Sequence, residues 1–442
     1  MKKKLALLAL PVAICTVLSQ HVQAQSLLTL YEAARGFDTT YLSAKSQYEA
    51  NLARADQARA GILPTARLSL ESARSEVDNS LTTPSQRRFG TENATLNLSQ
   101  PLYRPGNWVS YKQGLKQIEQ AQALLDGVDQ DLIIRLSQSY FDVLALQDSL
   151  MFVQAQKAAV AEQLATAKRT YDVGTTTVID VRDAQARYDL VIAQEIAAEN
   201  NLLVKRIALD LLVGQSNSQP WPLTQPLALP ALLPNDVKAW IEPSGSEHFS
   251  VRQTRVALDI AQLETKKAQA GHLPTLDLTL SYNFNNNRDG ATNILESYRV
   301  HSGSVGLAFN LPLFSGFATQ NRIRETLALE DKARNDFEGA IHAAAQGTRT
   351  AFFGLLSGQA QVKALESAEF SSQSALNANQ LGYNVGERIN SDVLNAQSQL
   401  FQVKRDLARA RYDVLVNGLK LRQANGTLKV ADLLAVNSLL AR

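Results

Sequence analysis

The side chains that ordinarily carry chemistry are few in this 442-residue sequence and stand far apart. Its five histidines (His21, His248, His272, His301 and His342) share no metal-ligand spacing. The single cysteine, Cys15, lies in an N-terminal leader. Asp126, Asp129 and Asp131 resemble a calcium loop only superficially, because the glycine and the terminal glutamate are misplaced and the stretch reads as helix. No phosphate loop, nucleophile elbow or acid pair is present, so the sequence predicts no enzyme, no metal and no cofactor. What remains is a pair of matched stretches. Tyr171-Asp172-Val173-Gly174 leads to Asp180-Val181, and Tyr383-Asn384-Val385-Gly386 leads to Asp392-Val393. Their chemistry is that of a carboxylate beside a helix break: acceptor of hydrogen bonds, holder of charge, or cap of the returning helix. Gly174 and Gly386 are the residues for a turn with positive φ.

The elements that must position these stretches read as a tandem repeat. Residues 1–24 form a secretory leader: Lys2, Lys3 and Lys4, an apolar run, then Val22-Gln23-Ala24. Ile14 before Cys15 argues against lipidation. Removing the leader takes three of 44 cationic residues and none of 42 acids, leaving 41 against 42. Near-neutral charge gives no reason to expect a nucleic-acid partner. Without Cys15 the mature chain has no disulfide or thiolate chemistry.

The first repeat (25–213) is read as a helix, strands at about 65–78 and 91–103, a long helix at about 107–172, a tip at 173–177 and a return helix at 178–213. A connector (214–245) holds six of the 13 prolines. The second repeat (246–426) has strands at about 274–285 and 298–312, a long helix at about 316–383, a tip at 384–391 and a return helix to 424. A tail (427–442) follows. Residues 81–90 and 286–297 are read as loops. The offsets are nearly constant: Gly61-Ile62-Leu63-Pro64-Thr65 returns as Gly271-His272-Leu273-Pro274-Thr275, and Pro101-Leu102-Tyr103 as Pro312-Leu313-Phe314.

A helix of some 66 residues would span about 100 Å, and alanines such as Ala155, Ala158, Ala159, Ala161, Ala165 and Ala167 suit close helix packing. The strands alternate apolar and polar residues, most cleanly at Leu276, Leu278, Leu280, Tyr282 and Phe284. Four strands cannot close a barrel, and a bilayer forbids open edges. Several chains are therefore expected to share one barrel with lipid outside and a wet lumen inside. Tyr103, Trp108, Phe314 and Phe317 sit where strands meet helices and fit an aromatic girdle, although they also suit the cap of a soluble core. A soluble periplasmic coiled-coil adaptor or a surface adhesin stalk would explain the helices but not the paired strand hairpins.

The ordered set of motifs resembles the TolC family of outer-membrane channel proteins over essentially the whole mature chain. The set comprises the Leu-Pro before the first and third strands, the Pro-Leu-aromatic after the second and fourth, and the two tips. It closes with Ala408-Arg409-Ala410-Arg411-Tyr412-Asp413, Gly426-Thr427-Leu428 and Asp432-Leu433-Leu434. The resemblance implies a mixed α/β membrane channel: a homotrimer with a 12-stranded β-barrel in outer-membrane lipid and an α-helical barrel in the periplasm. It also implies docking to a periplasmic adaptor protein and an inner-membrane transporter, for drug efflux or type I protein secretion.

Carried across by position, the family's closing latch would have Asp180 accept from Tyr383 and Arg388, with a weaker contact between Gln163 and Gln380. The pore constriction would lie at Asp392 and Asn395. There the second acidic position is an asparagine, so cation selectivity is expected to be weakened, with Asp183 as a possible substitute. Val173, Gly174, Val385 and Gly386 would form the adaptor-docking tip.

Overall fold

The computed structural model describes residues 25–78, 80, 86–224, 229–291, 294 and 296–441. The leader expected at 1–24 lies outside the described residues, as do parts of both loops expected between the strands. Two helices, α1 (Leu27–Phe37) and α2 (Thr39–Ala60), precede a hairpin of β1 (Thr65–Asp78) and β2 (Gln86–Tyr103). Then come α3 (Pro105–Asp172), α4 (Val178–Val213), α5 (Val237–Glu247) and α6 (Phe249–Gln269). A second hairpin, β3 (Thr275–Arg288) and β4 (Tyr298–Asn310), is followed by α7 (Ala318–Asn384), α8 (Asn390–Ala424) and α9 (Val430–Asn437).

Several boundaries differ from the sequence expectation, each for a local reason. The first helix is two. Asp38 breaks it by turning its carboxylate onto the Tyr41 N–H at 2.8 Å, where Arg135 on α3 pairs with it at 2.9 Å. The stretch 86–90, expected as loop, belongs to β2 and pairs with 74–78 of β1. Likewise β3 runs on to Arg288. Ladder hydrogen bonds use the backbone, so strands continue beyond the point where their side-chain alternation ends. The connector contains α5, which runs past its expected end to Glu247 with Pro243 inside it, and the tail contains α9.

The four strands form one antiparallel sheet in chain order, with β1 and β4 at its edges. The register sorts the side chains by chemistry. One face carries the rows Ala66–Leu98–Leu280–Val305 and Leu68–Leu96–Tyr282–Gly303. The other carries Arg67–Asn97–Ser281–Ser304 and Ser69–Thr95–Asn283–Ser302. The apolar face is uncovered: Leu70, Val305 and Phe309 are 74%, 73% and 65% exposed. At the base of the sheet Arg104 grips Asp277 through two bonds, at 2.7 and 2.6 Å, fixing β3 against the start of α3.

The main core lies away from the sheet, where α1, α3, α4, α8 and α9 meet around Leu30, Tyr31, Leu132, Leu136, Tyr140, Phe141, Leu419 and Leu433. Its buried tyrosine hydroxyls are satisfied: Tyr140 donates to the carbonyls of Gln25 and Trp221, and Tyr412 to Asp148. From this collar α3 and α4 extend as one hairpin and α7 and α8 as another. No helix among the described residues is long and apolar enough to cross a membrane.

Candidate functional site at the paired helix tips

Both hairpins turn by the same backbone device. In the first, the N–H groups of Val173, Gly174 and Thr175 return to the carbonyls of Arg169, Tyr171 and Thr170, with Gly174 at φ +76°. In the second, those of Val385, Gly386 and Glu387 return to Leu381, Tyr383 and Gly382, with Gly386 at φ +82°. A side chain at either glycine would strain a left-handed position. Val173, Ile179, Val385 and Ile389 all stand more than 60% exposed, giving each tip an apolar end.

The return helices start differently, and this sets the fate of the two aspartates. Thr177 caps α4: its hydroxyl accepts from the Asp180 N–H, while the Asp180 carboxylate accepts from the Thr177 N–H at 3.2 Å. Asp180 also takes the hydroxyls of Thr176 at 2.7 Å and Thr177 at 2.8 Å. The Thr176 hydroxyl, then the Thr177 hydroxyl and N–H, hold its carboxyl below the usual carboxylate range against the opposing effect of burial. At the equivalent place α8 has Ile389, which cannot cap with its side chain. Asp392 is therefore not drawn into a capping box; its nearest charge is Arg388, at 3.6 Å one turn before it. The stem of Arg388 lies over Gly382, where an added Cβ would come within 2.7 Å of it.

Within one protomer the expected latch partners do not meet. Asp180 bonds inside its own turn, because two threonine hydroxyls there are reached without bringing two helices together. Tyr383 packs beside Leu376, Val393 and Leu400, and Arg388 faces Asp392. The expected pairing of Gln163 with Gln380 is replaced. Gln163 donates to Oδ1 of Asn390, whose own amide donates to the Asp180 carbonyl at 3.4 Å. Asn390 is 1% exposed and Gln380 stands exposed. Asn390 was missed in the sequence. Its signal was a polar residue at the first position of a returning helix, between Ile389 and the apolar pair Val393-Leu394.

The neighbours Val393 and Leu394 hold the hairpins together. Val393 packs with Leu376 of α7, while Leu394 enters a cluster with Leu164 and Ala167 of α3 and Ala184 and Val191 of α4. The next residue, Asn395, accepts from Arg187 of α4 at 2.7 Å. Arg187 was likewise not singled out from the sequence.

Elsewhere, the three aspartates that faintly resembled a calcium loop are each engaged by a side chain, two from neighbouring helices and one from α3 itself. Asp126 binds Arg252, Asp129 takes the Tyr31 hydroxyl, and Asp131 binds Arg135. Among the described residues no group of three or more His, Cys, Asp or Glu is placed to hold a metal. Tyr103, Trp108, Phe314 and Phe317 lie exposed where strands hand over to helices, and Phe314 and Phe317 contact edge to face at 5.5 Å.

Comparison with known proteins gives a consistent match. A family model described as "Outer membrane efflux protein" matches residues 30–215 and again 240–427. The chain is 33% identical over 436 residues to "Outer membrane protein TolC" of Vibrio cholerae, covering 99% of this chain and 98% of that protein. It is 30% identical over 422 residues to "Proteases secretion protein PrtF" of Dickeya chrysanthemi, covering 93% and 90%. Among solved structures, the outer membrane protein VceC of Vibrio cholerae superposes with a TM-score of 0.76 at 20% identity, covering 90% of this chain and 96% of that one.

Proposed function

The chain belongs to the outer membrane efflux protein family, and from that premise we propose how its sheet and tips make a gated export duct. The protein is an outer-membrane channel of the kind that serves efflux and type I secretion, with its helical part in the periplasm. Three copies supply the strands of one 12-stranded barrel, and their helices form the tube beneath it. The family's members are channels rather than enzymes, and we assign this chain no catalytic step.

The observation that carries this reading is the sheet: two unpaired edges, one apolar face and one polar face. Lipid accepts the first face, water the second, and only a further copy can satisfy the edges inside a bilayer. The helices leave apolar surface in the same manner. Leu203, Val204, Ile207 and Leu211 on α4 and Phe353 and Phe370 on α7 are each more than half exposed, as expected of seams between copies. An adaptor or adhesin stalk has no use for such a sheet.

In the trimer, Tyr103, Trp108, Phe314 and Phe317 form the girdle at the inner membrane-water boundary. The tips close the tube. Asp392 and Asn395 line its narrowest point. Tyr383 and Arg388 act as donors of a latch toward Asp180 when the gate is closed, and opening exchanges those partners across the gate for the local ones, Thr176 and Thr177 for Asp180 and Asp392 for Arg388. Val173, Gly174, Val385 and Gly386 present the small apolar ends that a periplasmic adaptor's helices would grip, coupling the duct to an inner-membrane transporter that supplies the energy.

Cell fractionation tests the duct. The protein is expected in the outer-membrane fraction, released by detergent as a trimer. Recovery in the soluble periplasm without detergent would end this reading.

A further inference from the structure

We propose that Arg187 sets the ion preference of the constriction, placing a guanidinium beside the pore ring so that the gate is charge-balanced and admits anionic solutes. The proposal rests on the reading of Asp392 and Asn395 as the constriction.

The supporting geometry is a contact between the hairpins. Arg187, half-buried on α4, donates through Nη2 to Oδ1 of Asn395 on α8 at 2.7 Å. Asp183 stands one turn before Arg187, the spacing of a helical ion pair. Yet among the described residues Arg187 makes no ion pair, and its hydrogen bond goes to a neutral amide. An amide oxygen orients a guanidinium without cancelling its charge. The charge is therefore delivered intact to the level of Asn395, which is itself exposed.

One turn earlier on α8, Asp392 supplies a carboxylate that Arg388 already approaches at 3.6 Å. Arg187 and Arg388 thus bring two guanidinium groups per protomer to the first two turns of α8, against two carboxylates, that of Asp392 and that of Asp183 one turn before Arg187 on α4. A ring of carboxylates concentrates cations and excludes anions. Guanidinium groups within about one Debye length, about 8 Å at physiological salt, cancel that field. The chemistry recognised is a single negative charge on a small or extended solute, such as chloride or a carboxylate, passing a gate that would otherwise repel it.

Reversal potentials of the purified trimer in planar bilayers, under a tenfold KCl gradient, test this. The unmodified channel is expected near zero. Arg187→Gln is expected to move the potential to the cation side, raising the cation-to-anion permeability ratio about twofold or more. Arg187→Lys should leave it unchanged, because the charge is kept. Asp392→Asn should move it to the anion side. If Asp392→Asn shifts the potential and Arg187→Gln does not, the assignment of Arg187 is wrong while the ring stands. If Arg187→Lys shifts it as far as Arg187→Gln, the hydrogen bond rather than the charge matters and the proposal fails. If neither Arg187→Gln nor Asp392→Asn has an effect, the constriction lies elsewhere and both readings fall together.

Discussion

Gln163 donates its side-chain N–H to Oδ1 of Asn390, joining two residues 227 positions apart in the chain. Asn390 in turn reaches the Asp180 carbonyl, so one buried amide touches α3, α4 and α8 at once. Such an amide is strongly specified, because leaving any of its partners unmade inside the packed tip costs the desolvation of that group.

Asn390→Ala is expected to loosen the attachment of α8 to the first hairpin by about 1–3 kcal/mol. The tip should then open more often, raising mean single-channel conductance in planar bilayers. Gln163→Ala should act in the same direction but less, because it leaves the bond from Asn390 to the Asp180 carbonyl, and the double variant should add little to Asn390→Ala, which already removes the bond Gln163 makes. Fully additive effects would show that the two residues act separately.

For the latch, Tyr383→Phe combined with Arg388→Glu should raise conductance well above that of the unmodified channel. The first change removes a hydroxyl donor and the second turns a cation into an anion beside Asp392 and, in the proposed latch, opposite Asp180. A conductance that stays at the original value would count against the gate assignment.

Asp392→Ala removes the carboxylate from the expected pore ring. Block by multivalent cations added from the tip side should disappear. Block that persists at the same concentration would place the cation site on other residues.

In the collar, Tyr412 donates to Asp148 at 2.7 Å. Burial outweighs that bond and holds the Asp148 carboxyl above its ordinary range. The folded protein therefore binds this proton more tightly than the unfolded chain does. Charged Asp148 lowers stability at pH values above its folded pKa, and the cost fades as pH falls through that pKa toward the ordinary carboxylate value. Asp148→Asn should raise the melting temperature at pH 7, and the gain should shrink as the pH is lowered toward 4. A gain independent of pH would show that the charge of Asp148 has no part in it.

Much of the architecture was legible because it is written in short-range patterns. The period-two alternation around Leu276–Phe284 required a sheet with two unlike faces. The proline-free runs before Val173 and Val385 required long helices, and Gly174 and Gly386 required left-handed turns; each follows from the backbone preferences of a few adjacent residues. Near-constant offsets made the second half a copy of the first. Where the patterns stopped, so did the reading. Residues 86–90 have no clean alternation yet extend β2, because backbone pairing with 74–78 ignores side-chain type.

The partners at the tips were decided only by tertiary structure. The sequence places Asp180, Tyr383, Arg388, Gln163 and Gln380 near two matching turns, but which hydroxyl or amide each one meets depends on how α3, α4 and α8 cross. Asp180 was claimed by the nearest hydroxyls, those of Thr176 and Thr177, because a bond closed within one turn needs no second helix. Asp392 escaped that fate because Ile389 replaces the capping threonine. Gln163 found Asn390 instead of Gln380, and Asn395 found Arg187, because packing Val393 and Leu394 into different hairpins fixes the rotation of α8 and thereby what its polar residues face. By itself the sequence determined that there would be two tips and which ionisable groups stand on them; the tertiary structure decided which of those groups are already satisfied within the protomer and which remain for the gate.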